Sequence, residues 1–143
     1  SFLDLYCGVG FFGVVLSDYF KKVYFIEENK ASYKLLLKNI EANGIASKSF
    51  PICASADKAV KMLSGDPEVV LMDPPRSGST PESILQIVSM NPTCVIYISC
   101  NPATQFRDAL VFEKNGFKLC YAKPFDFFPQ TKHIESMAIF KKI

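Results

Sequence analysis

The 143-residue chain contains 49% hydrophobic and 21% charged residues, a composition typical of one globular domain. With 16 basic and 14 acidic residues, its net charge of +2 falls short of the basic excess with which domains hold nucleic acid by charge alone. No apolar run approaches the roughly 20 residues of a membrane helix. The odd count of five cysteines and the single histidine argue against a disulfide framework and a zinc site.

From these limits we expect a single domain over residues 1–143 in a reducing compartment, the cytoplasm, with no metal and no membrane segment. The chain opens at Ser1 and enters a strand almost at once. We therefore expect it to be a C-terminal fragment of a longer protein.

The chain begins with a strand, a glycine turn and a helix. Phe2–Tyr6 is an apolar run with the length of a strand, and Phe11–Phe20 has a helical pattern. Gly8 and Gly10 allow a tight turn and a close approach of the backbone to a ligand, beside the first helix amides. Such glycines serve either the turn alone or a cofactor, and both readings stay open at this point.

The second strand, Val23–Ile26, ends at two acidic residues. Glu27 follows the glycine turn by about 20 residues, a spacing that suits a carboxylate bound to the two hydroxyls of a ribose. The alternative is a carboxylate favoured by the positive end of the next helix, Lys30–Ala42. Glu28 is better placed for that alternative, so we predict that Glu27 binds a ribose.

The alternation of strands and helices continues through the middle of the chain. Lys48–Cys53 is a third strand, in which Pro51 favours an edge of the sheet or a bulge. Asp57–Leu63 is a short helix, and Glu68–Met72 is the fourth strand.

The fourth strand runs directly into Asp73-Pro74-Pro75-Arg76. Two consecutive prolines stiffen the backbone, so the carboxylate of Asp73 is held rigidly at the end of the strand. A plain strand-ending turn is the alternative. The position at the functional edge of the sheet favours a role in binding or catalysis.

A helix over Ile84–Met90 leads to the fifth strand, Val95–Ile98, which ends at Ser99-Cys100-Asn101-Pro102. Ligands bind beyond the carboxyl ends of strands in open α/β sheets, so the thiol of Cys100 lies where chemistry is done. We hypothesise that Cys100 is a nucleophile; the alternative is an ordinary buried cysteine. The remaining cysteines are assigned to packing: Cys7, Cys53, Cys94 and Cys120.

The last part of the chain contains a helix, Ala103–Asn115, and two strands, Phe117–Lys123 and Ser136–Phe140. The loop between those strands holds three Phe residues, the only His and Glu135, and such loops often carry binding and catalysis. The whole pattern predicts an α/β fold with a doubly wound, mostly parallel sheet and a late antiparallel strand.

Four motifs together resemble a known family. Leu3-Asp-Leu-Tyr-Cys-Gly-Val-Gly10, Asp73-Pro-Pro-Arg76, Ser99-Cys-Asn-Pro-Ala-Thr104 and Phe128-Pro-Gln-Thr-Lys-His-Ile-Glu-Ser136 resemble the RNA uracil-5 methyltransferase family in kind and order. The family transfers a methyl group from S-adenosylmethionine to carbon 5 of a uridine in tRNA or rRNA. The resemblance implies a Rossmann-like methyltransferase fold, an RNA substrate and an RNA-binding domain outside this chain.

The resemblance also implies roles for individual residues. Cys100 corresponds to the nucleophile and Glu135 to the base, while Phe125, Phe127 and Phe128 would pack around a flipped-out uracil or fill the core. The implied cofactor contacts are Tyr6, Gly8, Gly10, Glu27 and Asp73.

The chemistry requires a nucleophile and a base at this site. Carbon 5 of uracil is a poor nucleophile, so a thiolate must first add to carbon 6 and create an enolate that attacks the methyl group. A base must then remove the proton from carbon 5 so that the thiolate can leave. The uracil must also leave its stack to reach the thiol, which fits a structured RNA loop.

Other functions compete with this interpretation. Gly8, Gly10 and Gly13 have the spacing of a dinucleotide-binding turn, so the glycines alone do not exclude a dehydrogenase. An amino-group methyltransferase would also use Asp73-Pro74-Pro75, although it needs no cysteine. An S-adenosylmethionine-binding module or an inactive fragment is the alternative outside active enzymes.

Overall fold

The computed structural model describes residues 1–127, 129–131 and 134–143. In these residues the strands are β1 (Phe2–Leu5), β2 (Val23–Ile26), β3 (Ser49–Ile52), β4 (Val69–Met72), β5 (Cys94–Ser99), β6 (Phe117–Phe125) and β7 (Glu135–Lys142). The α-helices are α1 (Phe11–Val15), α2 (Lys30–Ala42), α3 (Ala56–Ala59), α4 (Pro81–Ser89) and α5 (Pro102–Lys114).

The described strands form one seven-stranded sheet in the order β3-β2-β1-β4-β5-β7-β6. The strands from β3 to β5 pair in parallel, and β7 runs antiparallel to both of its neighbours. This confirms the predicted mostly parallel sheet with a late antiparallel strand. The direction of winding reverses between β1 and β4, and ligands bind in the crevice beyond the strand ends at such a point.

Alternating residues of the central strands fill two apolar cores, one on each face of the sheet. Leu3 and Leu5 of β1 belong to the core that includes α3, α4 and α5. Phe2 belongs to the opposite core, which includes Leu36 of α2 and is bordered by Phe12 of α1. Because both faces are covered, β1 and β2 have almost uninterrupted apolar sequences in place of an alternation of apolar and polar residues.

The predicted helix Phe11–Phe20 is wrong in its second half. The α-helix ends at Val15, and a short 3-10 helix covers Ser17–Tyr19. The ring of Phe20 stacks on the ring of Phe2, with centroids 4.9 Å apart, so the chain leaves the helix early to return to the start of the sheet. The edge position predicted from Pro51 is confirmed, because β3 is an outer strand.

The packing of α5 against the sheet gives a test of the core. The ring of Phe112 is fully buried and packs against the rings of Phe140 and Phe117, at centroid distances of 5.1 Å and 5.9 Å. We expect Phe112→Ala to lower the free energy of unfolding by about 3–5 kcal/mol, measured by chemical denaturation, because it leaves a cavity.

Phe106 on the same helix provides the matched control. It is 68% exposed, so Phe106→Ala should change the free energy of unfolding by no more than about 0.5 kcal/mol. Equal losses in the two variants would contradict this account of the core.

Candidate functional site

Two clefts lie side by side at the carboxyl edge of the sheet. The first has a volume of about 710 Å³ and is lined by Tyr6, Glu27 and Asp73, among others. The second has a volume of about 620 Å³ and is lined by Asp73, Cys100 and Glu135, among others. Asp73 therefore lies at the junction of the two clefts.

The glycine turn after β1 lines neither cleft. Gly10 has a φ of 86°, and a Cβ at this position would clash with Leu36 of α2. A Cβ on Gly13 would likewise clash with the ring of Phe25, so these two glycines are required for packing of the turn and α1 against their neighbours. The predicted cofactor contacts of Gly8 and Gly10 stay predictions.

Glu27 is fixed by two backbone amides. Its Oε2 accepts a hydrogen bond from the N–H of Gly8 at 2.8 Å, and its Oε1 accepts one from Asn29 at 2.6 Å. Each carboxylate oxygen has a further lone pair, so Glu27 retains the capacity to accept hydrogen bonds from two hydroxyls.

Helix α2 is capped by a residue that sequence reasoning missed. The side chain of Asn29 accepts hydrogen bonds from the amides of Ala31 and Ser32 at 2.9 Å and 3.0 Å. Asn29 therefore takes the helix-start role that we considered for Glu27 and Glu28. Asn is a preferred capping residue, so its position directly before the helix was an available signal.

Asp4 is a second missed residue. It is 1% exposed in the middle of β1; its Oδ2 accepts a hydrogen bond from Gly13 at 2.7 Å, and its Oδ1 has no partner among the described residues. Burial, with a smaller contribution from the charge of Asp73, raises the pKa of Asp4 to about 7. A carboxyl in an otherwise apolar strand was the signal for a functional group.

Asp73 is held by the sheet itself. Its backbone N–H donates to the carbonyl of Leu5 at 3.3 Å, one residue beyond the β4 strand. Asp73 is exposed to solvent on one side, but nearby protein atoms partly desolvate its carboxyl and raise its pKa to about 6. The charge of Glu135 adds to that shift. The site thus holds carboxylates whose ionised forms a bound cation would stabilise.

The second cleft combines a thiol, a carboxylate and aromatic rings. Cys100 follows β5, and Glu135 is the first residue of β7; both are half-buried. The register pairs Ser99 with Ser136, so Cys100 and Glu135 both adjoin the last pair of the β5–β7 ladder.

Aromatic residues form another part of the second cleft. The rings of Phe125 and Phe127 stack at a centroid distance of 5.5 Å and both line the cleft. Phe128 and His133, which the sequence places in the same loop, lie outside the described residues. Stacked rings beside a thiol and a carboxylate suit a flat, partly apolar ligand such as a base.

Gln105 on α5 is a third missed residue. Its Oε1 accepts a hydrogen bond from the hydroxyl of Ser136 at 2.6 Å, and its Nε2 donates to the carbonyl of Tyr97 at 2.9 Å. Gln105 therefore fixes the start of β7 next to Glu135. Nothing in the sequence of α5 distinguishes this buried glutamine from a solvent-exposed one.

The predicted packing role fits Cys7 but not Cys53 or Cys120. Cys7 is buried. Burial raises the pKa of its thiol, and the charges of Asp4 and Glu27 raise it further, which fits an unreactive thiol. Cys94 is half-buried, whereas Cys53 and Cys120 are exposed and therefore do not pack in a core.

The described ranges contain neither a membrane-spanning helix nor a metal-binding cluster. No helix there is long and apolar enough to cross a membrane. Those same residues contain no group of three or more His, Cys, Asp or Glu side chains arranged to hold a metal ion.

The sequence of this chain matches a known protein family and several curated proteins. The family model described as tRNA (Uracil-5-)-methyltransferase matches residues 1–143. An uncharacterized RNA methyltransferase of Streptococcus mutans is 38% identical over 143 residues, covering 98% of this chain and 32% of the relative. One of Staphylococcus aureus is 37% identical over 141 residues, covering 96% of this chain and 31% of the relative. The chain thus spans about a third of the length of these curated relatives.

Solved structures agree with the sequence matches. The Pyrococcus abyssi tRNA (uracil-54, C5)-methyltransferase in complex with S-adenosyl-L-homocysteine aligns with a TM-score of 0.84 and 28% identity, over 97% of this chain and 33% of that one. An rRNA methylase from Streptococcus thermophilus aligns with a TM-score of 0.79 at 13% identity, over 99% of this chain and 86% of that one, a likeness of fold alone. The fold is therefore the Rossmann-like one of methyltransferases, as the motifs implied.

The family model extends over every residue of the chain. The chain belongs to the tRNA (uracil-5-)-methyltransferase family.

Proposed function

We propose that this chain is the catalytic domain of an enzyme that methylates carbon 5 of a uridine in tRNA or rRNA, with S-adenosylmethionine as the methyl donor. The observation that carries the proposal is the position of Asp73, which lines both the first and the second cleft. A donor in one cleft and a base in the other would meet at this residue. The family assignment and the uracil-54 methyltransferase of similar structure support the same reaction.

The first cleft has the groups that the methyl donor needs. Bound S-adenosylmethionine supplies a methyl group made electrophilic by the positive charge on its sulfur. Glu27, fixed by two amides, would accept hydrogen bonds from the ribose hydroxyls. Tyr6 and Asp73 line the same cleft, and Gly8 would act by holding Glu27. The carboxylate of Asp73, whose pKa is raised, would be stabilised by the positive charge on the sulfur of the donor.

The second cleft provides the two groups that act on the base. The thiolate of Cys100 adds to carbon 6 of uracil, and the electrons of the carbon 5–carbon 6 double bond move to form an enolate. Carbon 5 would then form a bond to the methyl group of the donor while the bond from that methyl group to sulfur breaks, which leaves S-adenosylhomocysteine. Glu135 removes the proton from carbon 5, the double bond reforms, and the bond between carbon 6 and Sγ breaks. Phe125 and Phe127 would pack against the extruded ring.

Competing functions make less use of this geometry. An enzyme that methylates an exocyclic amino group requires no thiol, whereas here Cys100 and Glu135 line one cleft with Asp73. A binding module would have no use for either group. All five cysteines are free thiols, which fits a cytoplasmic enzyme.

A covalent trap tests the nucleophile. The complete protein, incubated with S-adenosylmethionine and RNA containing 5-fluorouridine, should form a stable adduct because fluorine is not abstracted from carbon 5. We expect Cys100→Ala to abolish the adduct, measured as a slower band in denaturing gels and as a mass increase. Separate tRNA and rRNA transcripts identify the substrate class.

Cys120→Ala is the matched control, because Cys120 is an exposed thiol on β6 outside both clefts. It should form the adduct at the normal rate. Undiminished adduct in Cys100→Ala would refute the role of this thiol.

The base is tested by Glu135→Gln, which keeps the shape of the side chain but removes its basicity. With ordinary uridine RNA, this variant should accumulate the covalent adduct and release product about 10²-fold to 10⁴-fold more slowly, measured by rapid quench. Glu113→Gln, on the exposed side of α5, serves as control. Normal turnover in Glu135→Gln would remove Glu135 from the reaction.

The raised pKa of Asp73 predicts a pH dependence of donor binding. Burial and the charge of Glu135 raise this pKa to about 6, so the carboxylate ionises between pH 5 and pH 7. The positively charged sulfur of S-adenosylmethionine favours the ionised carboxylate of Asp73. The affinity for S-adenosylmethionine should therefore increase with pH across this range, by at most about tenfold per pH unit. S-adenosylhomocysteine lacks the charge on sulfur and should show a smaller change.

Isothermal titration of both ligands between pH 5 and pH 8 measures the affinity for S-adenosylmethionine divided by the affinity for S-adenosylhomocysteine. In the wild type that ratio should increase with pH and level off above about pH 7, once Asp73 is ionised. In Asp73→Asn it should vary much less. A ratio with the same slope in both proteins would show that Asp73 is remote from the sulfur.

A further inference from the structure

The carboxylate of Asp108 on α5 lies outside both clefts and has no part in the proposed chemistry. Asp108 is 1% exposed. Its Oδ2 accepts hydrogen bonds from the backbone N–H of Ser79 at 2.8 Å and from the Tyr97 hydroxyl at 2.7 Å. Its Oδ1 accepts two from the guanidinium of Arg107, at 2.8 Å and 2.7 Å. Four hydrogen bonds thus compensate for the burial of one charge.

Asp108 and Arg107 hold the segment Arg76–Ser79, here called the cleft loop. One guanidinium nitrogen of Arg107 also donates to the carbonyls of Ser77 and Ser79, each at 3.1 Å. Gly78 lies between those residues with a φ of 78°, and a Cβ there would be 2.6 Å from Arg107 and 2.7 Å from the Asp108 carboxylate. The absence of a side chain at Gly78 therefore allows the loop to wrap closely around the ion pair.

The cleft loop forms part of the lining of the first cleft. Ser77 and Gly78 line it directly. The hydroxyl of Ser79 lies 3.0 Å from the hydroxyl of Tyr6, another lining residue. Ser79 is thus held through its backbone by Asp108 and contacts Tyr6 through its side chain.

The other end of the cleft loop is tied to the second cleft. The side chain of Asn101, the residue after Cys100, donates to the carbonyl of Arg76 at 3.2 Å. The N-cap of α5 and the Arg107–Asp108 pair within the helix therefore hold the two ends of the loop that separates Asp73 from α4.

We propose that Asp108 is a positioning residue for the donor site: together with Arg107 it holds the cleft loop, and through Ser79 the Tyr6 hydroxyl, in the geometry that binds S-adenosylmethionine. This inference rests on the proposed function, because it takes the first cleft as the donor site. Loss of the carboxylate would release two stretches of the lining at once, the cleft loop and the contact to Tyr6. The groups that act on the base, Cys100 and Glu135, would keep their own contacts.

The variant Asp108→Asn tests the inference with little change of volume. Oδ2 accepts from the Ser79 amide and Oδ1 from the Arg107 guanidinium, and these two groups can only donate, so the amide NH₂ must face one of them and break that contact. In the complete protein, we expect the dissociation constant for S-adenosylhomocysteine, measured by isothermal titration, to increase about tenfold or more. The KM for S-adenosylmethionine should increase by a similar factor, while kcat at saturating donor stays within about twofold.

Tyr97→Phe separates positioning from stability. It removes one hydrogen bond to the same carboxylate but leaves the contacts to Ser79 and Arg107. The melting temperature of this variant should decrease while its affinity for S-adenosylhomocysteine stays within about twofold of the wild type. Arg107→Lys, at a partly exposed position, loses the planar fork and should show an intermediate loss of affinity even where Asp108→Asn does not fold.

Two results would overturn the inference. One is wild-type affinity in both Asp108→Asn and Arg107→Lys. The other is an equal loss of affinity in Tyr97→Phe, which would make the effect one of stability alone. A wild-type protein that does not bind S-adenosylhomocysteine would instead overturn the proposed function, and the inference with it.

Discussion

The site depends on the parallel pairing of β1, β4 and β5. In that ladder Leu5 lies opposite Met72, and Met72 lies opposite Tyr97. The residues after these positions emerge at the same edge of the sheet, so Tyr6 and Asp73 open into one cleft. Strand β5 continues for two residues beyond Tyr97, which carries Cys100 further out and into the second cleft. A one-residue shift of any of these strands would turn its side chains to the opposite face and separate the groups.

Helix α5 and its N-cap hold the segments around the two clefts by hydrogen bonds. Its N-cap Asn101 and the helical residues Gln105 and Asp108 hold the cleft loop, the start of β7 and the end of β5 through hydrogen bonds. Most of these bonds join residues distant in sequence, and buried polar groups of this kind must be satisfied in one arrangement. One helix and its N-cap therefore hold a part of each cleft, and Cys100 is the second residue before that helix.

The sequence allowed the strand-end residues to be predicted because apolar runs mark parallel strands, and the carboxyl ends of those strands share an edge. The positions of Glu27, Asp73 and Cys100 at that edge were predicted in this way, and each of them lines a cleft. Asp4 and Asp108 were not, because their burial depends on partners supplied by the fold, such as the amide of Gly13 and that of Ser79. The early end of α1 was missed for a related reason, since it follows from contact between the rings of Phe2 and Phe20.

The buried carboxyl of Asp4 lowers the stability of the fold as the pH rises. Burial raises the pKa of Asp4 to about 7, above the value of an exposed carboxyl, so the folded chain binds this proton more tightly than the unfolded chain. The free energy of unfolding therefore decreases as pH rises from about 4 to about 7, and the loss is complete above that range. The same carboxyl accepts the hydrogen bond of the Gly13 amide in the first turn of α1, at 2.7 Å. An apolar residue in place of Asp4 would remove this loss of stability, but it would leave the buried amide of Gly13 without an acceptor, so the start of α1 depends on the carboxyl.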